Sequence, residues 1–205
     1  DKNFHKHAID VDINVTLNDE QFAFTMDANT SELLLKLKNG NYDERTKRAH
    51  ALYDLNVSDL SAFKKELGGE YLGKFDANGE IIHDEVLYIT GKSQSFGGLL
   101  TFDLNDTLVN VDIDKVPFTS ILARMSVPPS IEANTIGNIK YDIKKREMQS
   151  RLDLHQTKVL PSELSETLTK KLDYDILNES FTQSSLEASL RDKVFSSKII
   201  FANDK

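Results

Sequence analysis

From Ile9 to Leu17 every second residue is apolar, with Asp10, Asp12, Asn14 and Thr16 between them. This alternation predicts a strand with one face buried and one face wet. It recurs along the chain. Phe22, Phe24 and Met26 carry it, then Leu33, Leu35 and Leu37, then Ala49, Ala51, Tyr53, Leu55 and Val57. Leu100, Phe102 and Leu104 pair across Asn105-Asp106 with Val109, Val111 and Ile113. Ile139, Tyr141 and Ile143 turn back into Met148, Leu152 and Leu154 at a basic tip, Lys144-Lys145-Arg146. Leu186, Ala188 and Leu190 turn at Arg191-Asp192 into Phe195, Ile199 and Phe201. About ten one-sided strands must share a buried apolar face, so the chain is mainly β and antiparallel.

Helix starters interrupt the alternation at three similar places: Leu60-Ser61, Val116-Pro117 and Leu160-Pro161. Ser and Pro suit the first turn of a helix, so short helices are expected over Ser61–Leu67, Pro117–Met125 and Pro161–Leu172. Gly68-Gly69 would stop the first. The result is a repeat of strand, short helix and strand pair, at spacings of roughly 45–55 residues. Its units run roughly over 33–104, 107–150 and 151–205. Asn39-Gly40-Asn41 and Asp76-Ala77-Asn78-Gly79 read as turns, and Gly91, Gly97 and Gly98 as places for bulges or bends. Three short helices are few lids for so much apolar face. The sheet must fold over on itself, or curve into a trough filled in part by helices and in part by an apolar ligand.

Composition narrows the function. The net charge is -8 and cysteine is absent. A nucleic-acid binder would need a basic face, so no nucleic-acid partner is expected. Thiolate catalysis, disulfides and Cys-based metal sites are excluded. The chain starts at Asp1 with no apolar 20-mer and reads as one piece, 1–205, of a longer protein whose anchor lies elsewhere.

Four runs carry a resemblance: Y-D-L-N-V-S-D-L-S-A-F from Tyr53, Y-L-G-K-F-D-A-N-G-E-I from Tyr71, V-L-Y-I-T-G-K-S-Q-S-F-G-G-L-L-T-F-D-L from Val86, and V-D-I-D-K-V-P-F-T-S-I-L from Val111. With their order of strand, short helix and Gly-containing strand, the chain from about Leu33 onward resembles the AsmA-like and TamB-like bacterial envelope proteins, the repeating β-groove superfamily. The resemblance implies a curved, taco-like β-groove open along one side. It further implies a periplasmic location, anchoring to the inner membrane through segments absent from this chain, and phospholipid acyl chains bound or passed toward the outer membrane. Inner- and outer-membrane proteins would be its partners. Full members are much longer than this chain.

The candidate groove residues are Leu100, Phe102, Leu104, Val109, Val111, Ile113, Ile139, Tyr141, Ile143, Leu152 and Leu154. The same stripe is ordinary core in most all-β proteins, so a structural or assembly module, or a surface adhesin with a self-filled core, is the alternative. Contiguous exposed apolar surface separates the two. Asn14, Asn29, Asn56 and Asn105 each stand in D-x-N-x-S/T, which resembles the extended acceptor of bacterial N-glycosylation. Crowding of Asp, Asn and Ser/Thr on wet strand faces yields the same pattern. His5 and His7 share a strand face but lack a third ligand, so a polar tail is expected and no metal. Asp76 to Glu80 lacks most of a calcium loop. Ser93 and Ser95 have no nearby His and no nucleophile elbow. No enzymatic activity and no cofactor are expected.

Overall fold

The computed structural model describes residues 9–67, 69–173 and 175–203. His5, His7 and Gly68 lie outside them. The strands are β1 (Asp10–Asn18), β2 (Gln21–Asn29), β3 (Leu33–Asp43), β4 (Arg48–Val57), β5 (Phe75–His83) and β6 (Leu87–Ser93). They continue as β7 (Leu99–Asn105), β8 (Leu108–Pro117), β9 (Ile131–Asp142), β10 (Glu147–Val159), β11 (Ser180–Arg191) and β12 (Val194–Ala202). All twelve form one antiparallel sheet in chain order, curved and unclosed, with β1 and β12 at its edges. A twisted open sheet rarely exceeds about ten strands without curling, so curvature follows from strand number.

In such a meander the connections alternate between two ends. After odd-numbered strands come tight turns, from 19–20 to 192–193. After even-numbered strands come the remaining connections, from the short 30–32 to the long 160–179, and every helix among the described residues belongs to this set. A 3-10 turn, Leu60–Phe63, leads into α1 (Lys64–Leu67) after β4; α2 (Phe118–Arg124) follows β8; α3 (Glu163–Leu172) follows β10. The repeat therefore places its helices at one end of the sheet. α3 begins after Ser162, not at Pro161: the Ser162 hydroxyl accepts from the Ser165 N–H, and the Ser165 hydroxyl accepts from the Ser162 N–H, a reciprocal cap.

Two expected turns are strand interior. Asn39-Gly40-Asn41 lies within β3, and Asp76 to Gly79 lies within β5. The β3–β4 turn falls instead at 44–47, where the Asp43 carboxylate accepts from the Thr46 N–H at 2.8 Å. Asn39 has φ 51° and sits where the β3 register shifts, so its turn-like chemistry makes a bulge. Lys115 (φ 54°) in β8 and Gln156 (φ 53°) in β10 mark the other shifts. Gly91 is a plain ladder position opposite Gly79. It is glycine because a Cβ there would meet the Tyr53 hydroxyl and the Phe102 ring.

The core gathers where α2 lies on β8 and β9. Ile113, Val116, Phe118, Ile131, Ala133, Leu152 and Leu154 form it, with Phe96, Ile121 and Leu122 packed against them. Arg124 ties this end together. Its guanidinium donates to the carbonyls of Leu72 and Ser95 at 2.8 Å each and lies 5.4 Å from the Phe96 ring centre. Three separate connections thereby meet at one side chain.

Candidate functional site

Directly opposed residues of an antiparallel ladder share a face, so the registers assign every strand residue to one of two faces. One face carries most of the apolar strand side chains, with Gly and Ser among them. A single row crosses it: Ile13, Met26, Leu37, Tyr53, Gly79, Gly91, Phe102, Val111, Ile139, Ser150, Ala188 and Ser197. Of the eleven candidates, ten lie on this face, nine of them in three neighbouring groups. Leu104, Val109 and Tyr141 align, as do Phe102, Val111 and Ile139, and as do Leu100, Ile113, Gly137 and Leu152. Leu154 lies one pair further, opposite Thr135. Ile143 differs: β9 ends at Asp142, and Ile143 stands exposed in the 143–146 turn.

Burial divides the face along its length. Ile113, Leu152 and Leu154 are buried under the helix end, covered by the chain's own α2 and Phe96. Leu100, Phe102, Leu104, Val109, Val111, Ile139 and Tyr141 are half-buried. The ladder leaves more apolar surface at its flanks than the candidate list holds. Val11, Ile13, Val15 and Leu17 of β1 are 51%, 56%, 58% and 60% exposed, and Phe195 of β12 is 62% exposed. These residues alternate plainly in the sequence. Their membership of the same face as Phe102 becomes visible only with the strand order.

α2 is the helix that packs on this face; α1 packs on the 3-10 turn before it and α3 on the turn Ile176–Asn178. The lid is therefore smaller than three helices would supply. Near the middle Tyr53 is buried, 6% exposed, as are Ala51 and Ala77 on the same face, and its hydroxyl lies against Gly91 beside Phe102. Burial pushes its phenol up to about 12, so it stays neutral.

The opposite face is polar. A row there runs Asp12, Asp27, Lys36, Asp54, Asn78, Lys92, Thr101, Asp112, Asn138, Arg151, Glu187 and Lys198. Lys36 lies 3.7 Å from Asp27, and Lys38 is bonded to Asp54, which raises the Lys38 pKa. Two open hollows lie between side chains of this face. One, about 710 Å³, is bordered by Lys140, Arg151, Glu187 and Lys198; the other, about 690 Å³, by Asp54, Glu80, Lys92 and Asp103. Their mixed charge suits water better than an acyl chain. No cluster of three metal-ligating side chains occurs among the described residues.

Asn14, Asn29, Asn56 and Asn105 all fall on the polar face, and all are exposed. Ser93 and Ser95 form a staple with Asp76. The Ser95 hydroxyl donates to the Asp76 carboxylate and accepts from the Asp76 N–H, both at 2.8 Å, and Ser93 donates to Ser95 at 3.1 Å. This chain holds the end of β6 against β5. The tip 143–146 is set by the Asp142 carboxylate, which accepts from the Lys145 N–H at 2.9 Å.

Among the described residues no helix is long and apolar enough to cross a membrane. Compared with known proteins, the chain matches no family model, no curated protein and no solved structure.

Proposed function

We propose that the chain is a non-enzymatic lipid-binding element, taking phospholipid acyl chains along the apolar face of its sheet. The observation that carries this is the unequal cover of that face. Twelve strands present it, α2 covers its helix end, and half-buried Leu104, Phe102, Val109, Val111, Ile139 and Tyr141 continue it toward the turn end. An acyl chain laid there would gain about 0.8 kcal/mol per buried methylene, with no polar group needed along its length. The resemblance to AsmA-like and TamB-like envelope proteins supports the same reading. With it come a periplasmic setting, an inner-membrane anchor outside this chain, and membrane proteins at either side as partners. Glycans on Asn14, Asn29, Asn56 or Asn105 would project from the polar face and leave the apolar face clear; intact mass of the native chain reads their presence.

A second reading rests on the buried cluster around Leu154 and Phe118. There the face is filled by the chain itself, as in a structural module or adhesin. Phe102→Asp and Val111→Asp separate the two. On an open face the carboxylate stays partly hydrated in the empty protein, while against acyl chains it costs several kcal/mol. Retained thermal unfolding with lost lipid co-purification supports lipid binding. Collapse of folding in both variants, with no lipid carried by the parent, supports the self-filled module.

A further inference from the structure

The edges of the sheet carry charges of opposite sign and, among the described residues, few of the devices that protect an edge. β1 and β12 are each nine residues long. Neither contains proline, and neither shows a register shift against its neighbour. No charge stands on the apolar side of either strand: that side is Val11, Ile13, Val15 and Leu17 in β1, and Phe195, Ser197, Ile199 and Phe201 in β12. Short length, proline, bulges and inward charges, which keep sheet edges apart, are thus missing; the edge charges present are Asp10 and Asp12 on β1 and Lys198 on β12, opposite in sign and on the polar face.

On the polar face the row ends at β12 as Arg151, Glu187, Lys198, with alternating sign. At the other edge it ends as Asp27, Asp12, two like charges directly opposed. Such a pair is unfavourable, and a cation on the open side of Asp12 would relieve it.

We propose that β1 of one copy of this chain adds to β12 of a second copy, antiparallel, with Asp12 opposite Lys198. This register sets Val15 against Phe195, Ile13 against Ser197 and Val11 against Ile199. Each pair extends an existing row across the boundary, so the apolar face runs unbroken from one copy to the next. β12 and β1 run in opposite directions within the meander, so the added strand continues its order. The occupant is a second copy because the required strand, with matching length, alternation and charge, is on the same molecule. Pairing β12 with β12 about its centre would instead set Lys198 against Lys198. The contact joins two different surfaces, so it builds an open series, or a ring where the rotation between copies closes. The association does not depend on what the apolar face carries.

Sedimentation velocity of the purified chain over a concentration series tests this. The parent should form a ladder of species beyond the dimer, weakened by salt. Lys198→Asp and Asp12→Lys should each weaken association about tenfold. Both positions are on the wet face of edge strands, so the fold should tolerate them. The double variant, which exchanges the two charges, should recover most of the parent's association. A parent monomeric at every concentration overturns the proposal. So does association unchanged by Lys198→Asp, which would mean β1 pairs with something other than β12. So does a double variant as weak as the single ones.

Discussion

Leu154 has no exposed surface and faces Thr135 on one side and Ser184 on the other. The hydroxyls of both neighbours are buried without a hydrogen-bond partner among the described residues. Their contributions should therefore have opposite signs. Leu154→Ala should cost about 2–5 kcal/mol, through lost transfer energy and the cavity left behind. Thr135→Val keeps the shape, removes an unpaired polar group, and should be neutral or stabilising by about 1 kcal/mol. Urea unfolding of the two variants reads both. A second residue-scale prediction concerns acid. The Asp59 carboxylate accepts from the Ser61 hydroxyl, the Ser61 N–H and the Gly73 N–H, which hold its pKa below the ordinary 3.8. Asp43 and Asp142 are lowered by turn N–H groups, chiefly those of Thr46 and Lys145. Groups lowered on folding stabilise the fold above their unfolded pKa. That contribution should be whole above about pH 5 and be lost as pH falls through and below 3.8. Asp59→Asn should lower stability at neutral pH, where the contribution is whole, and flatten the acid limb, so that parent and variant converge as pH falls below 3.8.

At the scale of elements, the sequence shows strands and helices well and punctuation poorly. Alternation marks β4, β8 and β10 because each has one wet face and one covered face; β1 alternates as plainly, though its apolar face is exposed. The three helix sites are legible because starter residues follow an apolar strand end. Asn39 and Asn78-Gly79 misled for a physical reason: the residues that tolerate positive φ in turns also serve as bulges or as flat ladder positions. Gly91 makes room for the Tyr53 hydroxyl and the Phe102 ring, and Gly79 opposite it has the Thr90–Gly91 backbone where a Cβ would stand, cross-strand demands that no local pattern carries. The turns at 44–47 and 143–146 share a form that the repeat reading did not use. Tyr42-Asp43 and Tyr141-Asp142 precede them, each Asp accepts an N–H three residues on, and Lys47 and Arg146 close them at φ 58°. Arg124 is the element-scale linchpin. Arg124→Ala removes two charge-assisted hydrogen bonds and a ring contact, and should destabilise by about 2–4 kcal/mol. Hydrogen exchange should show the loss concentrated in 70–73, 94–98 and α2. Uniform loosening of β1 to β3 would contradict that assignment.

For the molecule as a whole, the decisive fact is that twelve strands lie in one layer with a single helix seated on them. The alternation in the sequence fixes which side chains are apolar, while strand order decides that they form one surface. The candidate stripe from Leu100 to Leu154 is the middle of that surface. Its ends are β1 and β12, and β1 lies outside the stretch that the resemblance covers. The polar face carries the charges and the four candidate glycan acceptors, so the two faces have separate chemistry. The most direct test of the central claim is photo-cross-linking in the presence of phospholipid vesicles, with a benzophenone side chain placed at one position at a time. At Leu104 or Val109 on the apolar face it should capture acyl chains; at Thr101 or Asp112 on the polar face it should not. Capture confined to the first pair is the predicted result. No capture at Leu104 and Val109, or equal capture from both faces, would contradict the account.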